Sequence, residues 1–236
     1  MNVLMMGRPF GTPGEPLQLY QSARGHVVRT LGIDAPGDYA CAAHERAPDV
    51  LARIHREWPI DLFVVWCPEV CPPPPHIEAS PVPTAASVSD WSVYYPQLAH
   101  NLARYDRVVC DRPGAHTLRL AGATPHYIGP LYSARTGLHE DRGAPRDIDI
   151  LFAGNLNHAV HVRRGRLLDR VAALQRRYRV HLYANLEEER YARYMGRARI
   201  AFNCTLRGEM NLRCFEALAC GALLFVEADN AEARDW

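Results

Sequence analysis

The residues best suited to chemistry lie near the end of the chain, in the sequence NCTLRGEMNLRCFEALACG. Asn211 and Arg213 stand in the first turn of a predicted helix, and Glu216 follows three residues later on the same face. A helix N-terminus offers unpaired backbone N–H groups and a partial positive charge, which suit a diphosphate. Arg213 could add a bidentate phosphate contact, and Glu216 could accept hydrogen bonds from ribose hydroxyls. The alternative is an ordinary Arg–Glu helix pair, worth about 0.2–0.5 kcal/mol.

A second polar stretch, FAGNLNHAVHVRRGRLL, follows another predicted strand. Gly154 allows a close approach of the backbone to a ligand, and Asn155 stands beside it. Arg163 opens the next predicted helix, where a cation could neutralise a departing diphosphate and make a metal unnecessary. The alternative is a solvated basic helix end, in which Arg163, Arg164 and Arg166 are surface residues.

Asp90 ends a predicted strand in the sequence SVSDW, in the first half of the chain. At the edge of a sheet that faces a ligand, it could serve as the general base that deprotonates an acceptor hydroxyl. An equally common use of aspartate is to cap a helix, here the segment that starts near Ser92. Both interpretations stay open.

Three other patterns resemble sites but lack the required companions. His158 and His161 form H-x-x-H without a carboxylate or cysteine at matching spacing, so we predict two loop histidines. Cys67 and Cys71 lack two further ligands, and no metal site is predicted. The glycines of GRPFGTPGEP at 7–16 do not fit G-x-G-x-x-G, so this stretch is interpreted as a mobile loop and not as a dinucleotide fingerprint.

Strands and helices alternate along the chain, which predicts parallel sheets in an α/β fold. A polar, breaker-rich stretch at 133–147 is a predicted linker between two Rossmann-like domains, 1–132 and 148–236. Since ligands collect at the carboxyl ends of parallel strands, two such domains are expected to face a cleft. The second domain is expected to be truncated, because another strand and helix would complete a doubly wound sheet. The main predicted strands are 2–7, 26–33, 60–67, 82–90, 107–111, 148–155, 180–184 and 199–204, and the main helices are 48–58, 94–104, 163–178 and 187–198. Asp111 is also a predicted cap for a helix that has Pro113 in its first turn.

The composition narrows the choice of partners and location. Apolar residues make up 48% of the 236 residues, and the formal net charge is +1. This balance gives no sign of a nucleic-acid partner. The longest apolar run, at 217–226, is too short to span a bilayer, which takes about 20 residues. The odd number of cysteines, 7, fits no disulfide framework, and no secretory signal is evident at the start, so a cytoplasmic location is predicted.

The segment IAFNCTLRGEMNLRCFEALACGALLFVE resembles the signature of bacterial CgeB-type (spore-maturation-like) glycosyltransferases, within the group-1, GT-B superfamily. The matching pattern is N-x-R-x-F-E-A-L-A-C-G, from Asn211 to Gly221. Weaker similarity extends to IDLFVVW, PTAASVSDW, YDRVVCD and ILFAGN. The resemblance implies that Glu216 contacts the ribose of a nucleotide sugar and that Arg213 lies near its phosphates. Broader group-1 enzymes separate two glutamates by seven residues, whereas six separate Glu209 from Glu216, so Glu209 is not assigned the first-glutamate role.

The favoured hypothesis is therefore a glycosyltransferase that moves a sugar from a nucleotide-diphosphate donor to an unknown acceptor hydroxyl. The second half would bind the donor, and the first half would hold the acceptor and any base. No metal or other cofactor is expected. The alternative is a non-catalytic nucleotide-sugar-binding or interaction module that retains the fold. A nicotinamide-dependent oxidoreductase is disfavoured, since the glycine fingerprint is missing.

Overall fold

The structure is a computed structural model, and it describes residues 1–7, 25–98, 100–131, 138, 143–186 and 188–235, without the side chains of residues 97, 188 and 235. The chain divides into two compact units, Met1–Leu131 and Tyr132–Trp236, called here the N-terminal unit and the C-terminal unit. The loop predicted at 7–16 falls almost entirely outside the described residues, as does most of the linker predicted at 133–147.

A seven-stranded parallel sheet forms the centre of the N-terminal unit. The spatial order of the strands passes outward in both directions from β1 (Asn2–Gly7), with β4 (Leu62–Trp66) on one side of it and β2 (Val27–Ile33) on the other. This is the arrangement of a doubly wound sheet. Across the sheet the strands are β3 (Tyr39–Cys41), β2 (Val27–Ile33), β1 (Asn2–Gly7), β4 (Leu62–Trp66), β5 (Thr84–Val88), β6 (Arg107–Cys110) and β7 (Pro125–Ile128).

The apolar runs of the sequence become the central strands because a parallel sheet is covered on both faces. All five residues of β5 are buried, and Phe63 and Val65 on β4 and Leu4 on β1 are completely buried. The short strand β3 was missed from sequence. It is held by Asp38, whose carboxylate accepts hydrogen bonds from the Thr30 N–H and hydroxyl at 2.8 and 3.0 Å.

The helices of this unit follow the expected apolar spacing with one exception. Helix α1 (Ala47–Glu57) buries Val50, Leu51 and Ile54 on one face. The helix predicted at 94–104 is wrong in extent. The described residues of this stretch form the four-residue α2 (Tyr95–Leu98) and a 3-10 turn, Leu102–Arg104, and Leu98 and Leu102 reach the core from these two pieces.

Helix α3 (Arg112–Leu120) begins as the sequence predicts, with Pro113 in its first turn and Asp111 as its cap. The Asp111 carboxylate accepts hydrogen bonds from the Gly114 N–H at 2.6 Å and from Trp91 Nε1 at 2.9 Å. One buried carboxylate thus satisfies both a free helix N–H group and an indole.

The C-terminal unit has a four-stranded parallel sheet, and its strands in spatial order are β11 (Leu223–Phe225), β10 (Ala198–Phe202), β8 (Ile148–Ala153) and β9 (Val180–Tyr183). Its helices are α4 (Val162–Ala172), α5 (Glu188–Arg197) and α6 (Leu212–Ala219). The helix predicted at 163–178 is shorter than expected, because a 3-10 turn, Ala173–Arg176, replaces its last turns. Ile148, Leu151, Met195 and Ala217 are among the buried residues that pack together.

Both units therefore confirm an α/β fold with two Rossmann-like parallel sheets. Arg146, just before β8, links the start of the C-terminal unit to two later segments. Its guanidinium donates hydrogen bonds to the Ala198 and Cys220 carbonyls, each at 2.8 Å. Within the described ranges, no helix combines the length and apolar character that a membrane span requires.

Candidate functional site

The candidate site lies at the carboxyl edge of the C-terminal sheet. Strands β8 and β10 are parallel neighbours, so the residues that follow them, Gly154 and Asn203, leave the sheet at the same edge. The chain then continues into the two helices α4 and α6, whose N-termini carry the arginines described below. This edge is where open parallel sheets collect ligands.

Arg213 is held in a fixed orientation against the end of β8. Its Nη1 donates to the side-chain oxygen of Asn203 at 2.8 Å, and Asn203 is completely buried. The other side of the guanidinium rests on Gly154, where a Cβ atom would lie 2.3 Å from Arg213 Nη2. The glycine is therefore required for the approach of this arginine, which the sequence could not show.

Arg164 is the second cation of the site, and only 4% of it is exposed. Its two Nη atoms donate to the carbonyls of Asn155 at 2.5 Å and Cys204 at 2.6 Å, so it joins the loops that follow β8 and β10. The guanidinium carbons of Arg164 and Arg213 lie 5.6 and 5.5 Å from the centre of the same Phe152 ring. Two cations thus share one wall of the site.

Positive charge accumulates in this region. Burial lowers the pKa of His161 to about 4, with further lowering by Arg164, Arg213 and Arg207. Burial and then Arg213 likewise lower the pKa of Arg164. We call Arg164, Arg207, Arg213 and His161 the cation cluster. Burial is the larger cause of both shifts, but the arginine contributions to them oppose additional positive charge and would favour an anion.

Several nitrogen atoms of the cation cluster lack a partner in the part of the chain that the structure describes. The buried Nε atoms of Arg164 and Arg213 and Nδ1 of His161 make no hydrogen bond there. A buried polar atom without a partner costs about 1–3 kcal/mol, and more when it is charged. Phosphate oxygens could accept hydrogen bonds from these nitrogens, since guanidinium groups bind phosphate well.

Carboxylates shape the loop between β10 and α6. The Glu209 carboxylate accepts from the Arg207 N–H at 2.7 Å, and Glu232 accepts from the Met210 N–H at the same distance. Glu227 accepts from both the N–H and the hydroxyl of Thr205. Glu209 therefore organises the loop that precedes α6.

The remaining predicted donor-side residues fall near the cation cluster in different roles. Asn211 is the residue before α6, and its side-chain oxygen accepts from Asn203 Nδ2 at 2.9 Å. The Asn155 side chain accepts from the Asn157 N–H at 2.8 Å, while its carbonyl holds Arg164. Glu216 lies in α6 with only 3% of its surface exposed.

Arg163 does not join the cluster. Its side chain is 71% exposed, and Nη2 lies 3.6 Å from an Asp229 carboxylate oxygen. The structure brings its neighbour Arg164 into the site instead, since successive helical residues point about 100° apart. The spacing of Arg164 and Leu168, which share the buried face of α4, was the available signal. Asn203, Arg207 and His161 had no comparable signal.

Asp90 lies in the N-terminal unit, two residues after the end of β5, and is partly buried. Its N–H donates at 2.7 Å to Glu69 Oε1, which also accepts from the Ser89 N–H at 3.0 Å. Glu69 is 7% exposed, and burial raises the pKa of its carboxyl group. The backbone at Asp90 is thus fixed by a buried carboxyl group that the sequence analysis did not consider.

No group of three or more His, Cys, Asp or Glu residues in the described ranges is arranged to hold a metal ion. His158 is exposed and lies beside Gly165, whereas His161 is partly buried. All seven cysteines are free thiols.

Comparison with known families gives a match over residues 148–235 to the family described as Glycosyl transferase-like. This part of the C-terminal unit is therefore similar to that family. The match contains every residue of the cation cluster. Comparison with curated protein sequences gives no match.

Solved structures share the architecture of the chain. An alpha-glucosyltransferase in complex with UDP-glucose and DNA containing an abasic site matches with a TM-score of 0.58 and 9% identity, over 98% of this chain and 80% of that one. An alpha-glucosyltransferase in complex with UDP and a 13-mer DNA containing a central A:G mismatch matches with a TM-score of 0.54 and 11% identity, over 98% of this chain and 80% of that one. UDP-GlcNAc 2-epimerase from Methanocaldococcus jannaschii matches with a TM-score of 0.47 and 9% identity, over 100% of this chain and 86% of that one. The two glucosyltransferases show the fold of this chain, which is of the GT-B class.

Proposed function

We propose that this protein is a glycosyltransferase of the CgeB type, which transfers a sugar from a nucleotide-diphosphate donor to an acceptor hydroxyl. The observation that carries the proposal is the cation cluster, at the carboxyl edge of a glycosyltransferase-like unit. The proposal places the donor in the C-terminal unit and the acceptor in the N-terminal unit.

The chemistry of transfer explains why such a cluster would be needed. The bond between the anomeric carbon and the β-phosphate oxygen breaks, and a bond from the acceptor oxygen to that carbon forms. The acceptor loses its proton to a base, and the nucleoside diphosphate leaves with additional negative charge. Arg164 and Arg213, already fixed by hydrogen bonds, would stabilise that charge without reorganisation. We therefore propose that no metal is required, and EDTA should leave donor binding unchanged.

The donor ribose is assigned to Glu216 by the sequence resemblance, and its position in α6, one turn after Arg213, supports this assignment. Asn211 and Gly154 would position Arg213. Asn211 does so through its hydrogen bond with Asn203, and Gly154 does so by leaving room for the guanidinium. Arg164 takes the phosphate role that the sequence suggested for Arg163. The donor base and the sugar are left to experiment.

Asp90 is proposed as the base that takes the acceptor proton. Support comes from its position at the carboxyl end of β5 and from the Glu69 hydrogen bond that fixes its backbone. The near-neutral net charge favours a glycan, protein or small-molecule acceptor over nucleic acid. The free cysteines are consistent with the proposed cytoplasmic location.

The first test is calorimetric titration of the chain with UDP, GDP, ADP and dTDP in the absence of metal. We expect saturable binding of at least one nucleotide. Arg213→Lys, which removes the planar guanidinium, should weaken that binding about 10-fold or more. Arg163→Lys is the matched control outside the cluster and should bind as the wild type does. Equal losses in both variants, or no binding of any nucleotide, would contradict the donor site.

The second test separates an enzyme from a non-catalytic binding module. The nucleotide sugar that binds is incubated with the protein, alone or with a mixture of acceptors. The nucleoside diphosphate released as the sugar passes to water or to an acceptor is measured. Asp90→Asn should slow this release about 10²–10⁴-fold without changing donor affinity. Asp49→Asn, a change of the same kind at an exposed position in α1, is the control. Binding without any release by the wild type would favour the non-catalytic module.

A further inference from the structure

His161 occupies an unusual position for a loop histidine. It is the last residue before α4, and its carbonyl accepts a hydrogen bond from the Arg164 N–H at 3.0 Å. Its own N–H donates to the Asn157 carbonyl at 2.8 Å, so the backbone that carries the ring is fixed. The ring is partly buried, and Nδ1 is fully buried without a hydrogen-bond partner among the described residues.

The charged groups that act on this ring are all cationic. Arg164 approaches from α4 itself, Arg213 from α6, and Arg207 from the loop after β10. Glu209 is the carboxylate paired with Arg207, whose Nη2 lies 3.8 Å from Glu209 Oε1, and it also accepts from the Leu206 and Arg207 N–H groups. The ring is therefore neutral at physiological pH in the free protein, because its pKa is about 4.

An anion in the cluster would reverse this balance. The diphosphate of a nucleotide sugar carries two negative charges, and these would offset the arginine charges that oppose protonation of the ring. We infer that His161 takes up a proton when this diphosphate binds, and that it then serves as a cationic hydrogen-bond donor to a phosphate oxygen. The inference rests on the proposed function, because it requires the diphosphate to occupy the cation cluster.

The sign of the coupling follows from linkage. Free His161 is protonated only below about pH 4, whereas the bound form stays protonated up to a higher pH. Binding therefore takes up a proton between these two values, and affinity should rise as the pH falls through that window. The limiting slope is about 10-fold in affinity per pH unit for one proton. Below the free pKa, the affinity should stop changing from this cause.

The coupling would also affect the end of the reaction cycle. A protonated His161 adds positive charge beside the departing nucleoside diphosphate, where negative charge develops. Loss of that proton would weaken the hold on the product. Product release should therefore become faster as the pH rises above the bound-state pKa, while donor binding becomes weaker.

The test measures proton uptake directly. Calorimetric titrations with UDP-glucose, GDP-mannose, ADP-glucose and dTDP-glucose are run at about pH 6 in two buffers of different ionisation enthalpy. Nucleotide sugars are used because their diphosphate has no group of its own that titrates in this range. For the donor that binds, the difference between the two observed enthalpies, divided by the difference between the ionisation enthalpies of the two buffers, gives the number of protons taken up. We expect about half a proton or more at this pH.

Two variants identify the group that takes up the proton. His161→Gln keeps an N–H donor but cannot be protonated, and it should bind the donor with almost no proton uptake and with little change in affinity between about pH 5.5 and pH 7.5. His158→Gln, the exposed histidine three residues earlier, should behave as the wild type does. The titration of the His161 ring by NMR, with and without donor, should show its pKa raised in the complex.

The outcomes separate the two proposals. If none of the four nucleotide sugars binds, the proposed function fails and the inference fails with it. If a donor binds without proton uptake, or with the same uptake in His161→Gln, the donor site stands and the inference is overturned. If His161→Gln does not fold, the NMR titration of the wild-type ring decides, since an unchanged pKa in the complex would also overturn it.

Discussion

Replacement of Gly154 by alanine is the sharpest test of how the structure positions Arg213. A Cβ atom at this position would lie 2.3 Å from Nη2 and 2.6 Å from the guanidinium carbon. Carbon atoms in ordinary contact are about 3.5–4.0 Å apart. The guanidinium must therefore move by roughly 1 Å or more, which also disrupts its 2.8 Å bond to Asn203.

The expected cost falls on binding more than on folding. A displaced guanidinium loses a charge-assisted hydrogen bond to phosphate, worth about 1.5–3 kcal/mol, which corresponds to a loss in affinity of roughly 10- to 150-fold. The lost bond to Asn203 costs about 1 kcal/mol of stability. Alanine restores about 0.4–1 kcal/mol by restricting the unfolded chain, so the melting temperature should change little.

A double-mutant cycle with Arg213→Ala tests the cause. Calorimetry on the wild type, Gly154→Ala, Arg213→Ala and the double variant gives the four affinities. If Gly154 acts through Arg213, the alanine should weaken binding in the wild type and have almost no effect once Arg213 is removed. Equal effects in both backgrounds would refute the reasoning. Gly196→Ala, in α5 where nothing lies within 4 Å of the added atom, is the control and should raise stability without changing affinity.

Three further predictions concern the other elements. Asp111→Ala should lower the free energy of unfolding by about 1–3 kcal/mol in urea denaturation, because it removes the bonds to the Gly114 N–H and the Trp91 indole, and an unchanged midpoint would contradict the cap. Burial raises the pKa of Glu69, so ionisation of this carboxyl group at higher pH lowers the free energy of unfolding. Glu69→Gln should therefore be more stable than the wild type near neutral pH and equally stable near about pH 4, as measured by urea denaturation. A difference in stability between the two proteins that widens on acidification would contradict this sign. Glu216→Gln should weaken binding of a nucleoside and of its diphosphate by the same factor, as measured by calorimetry, whereas a loss confined to the diphosphate would move Glu216 from the ribose to the phosphates.

The order of strands and helices followed closely from local sequence patterns. Apolar β-branched runs gave β4, β8 and β10 within two residues of their ends, because strands buried on both faces carry continuous apolar sequences. Asp111 and Pro113 marked the start of α3 correctly, since capping depends on neighbouring residues alone. The helices predicted at 94–104 and 163–178 were too long, because a 3-10 turn occupies the last part of each stretch and apolar spacing does not reveal it.

For the candidate site, local sequence patterns were sufficient to predict which loops contribute its residues. Strand ends followed by glycine, asparagine and arginine pointed to the loops after β8 and β10, and parallel strands bring such loops to one edge. The resemblance of the segment around Arg213 and Glu216 pointed to the same edge, and the match of residues 148–235 to a glycosyltransferase-like family agrees with it.

Which side chains meet there depends on the tertiary packing. The packing turns Arg164 inward and leaves Arg163 exposed, it places the guanidinium of Arg213 against Gly154, and it brings Arg164, Arg207 and Arg213 close enough to lower the pKa of His161. These contacts join residues far apart in the chain, such as Arg164 and Cys204, whose separation is 40 residues. A sequence encodes local spacing directly, but the distance between two distant side chains depends on how the whole sheet and its helices pack, and that packing sets both the charge and the geometry of the site.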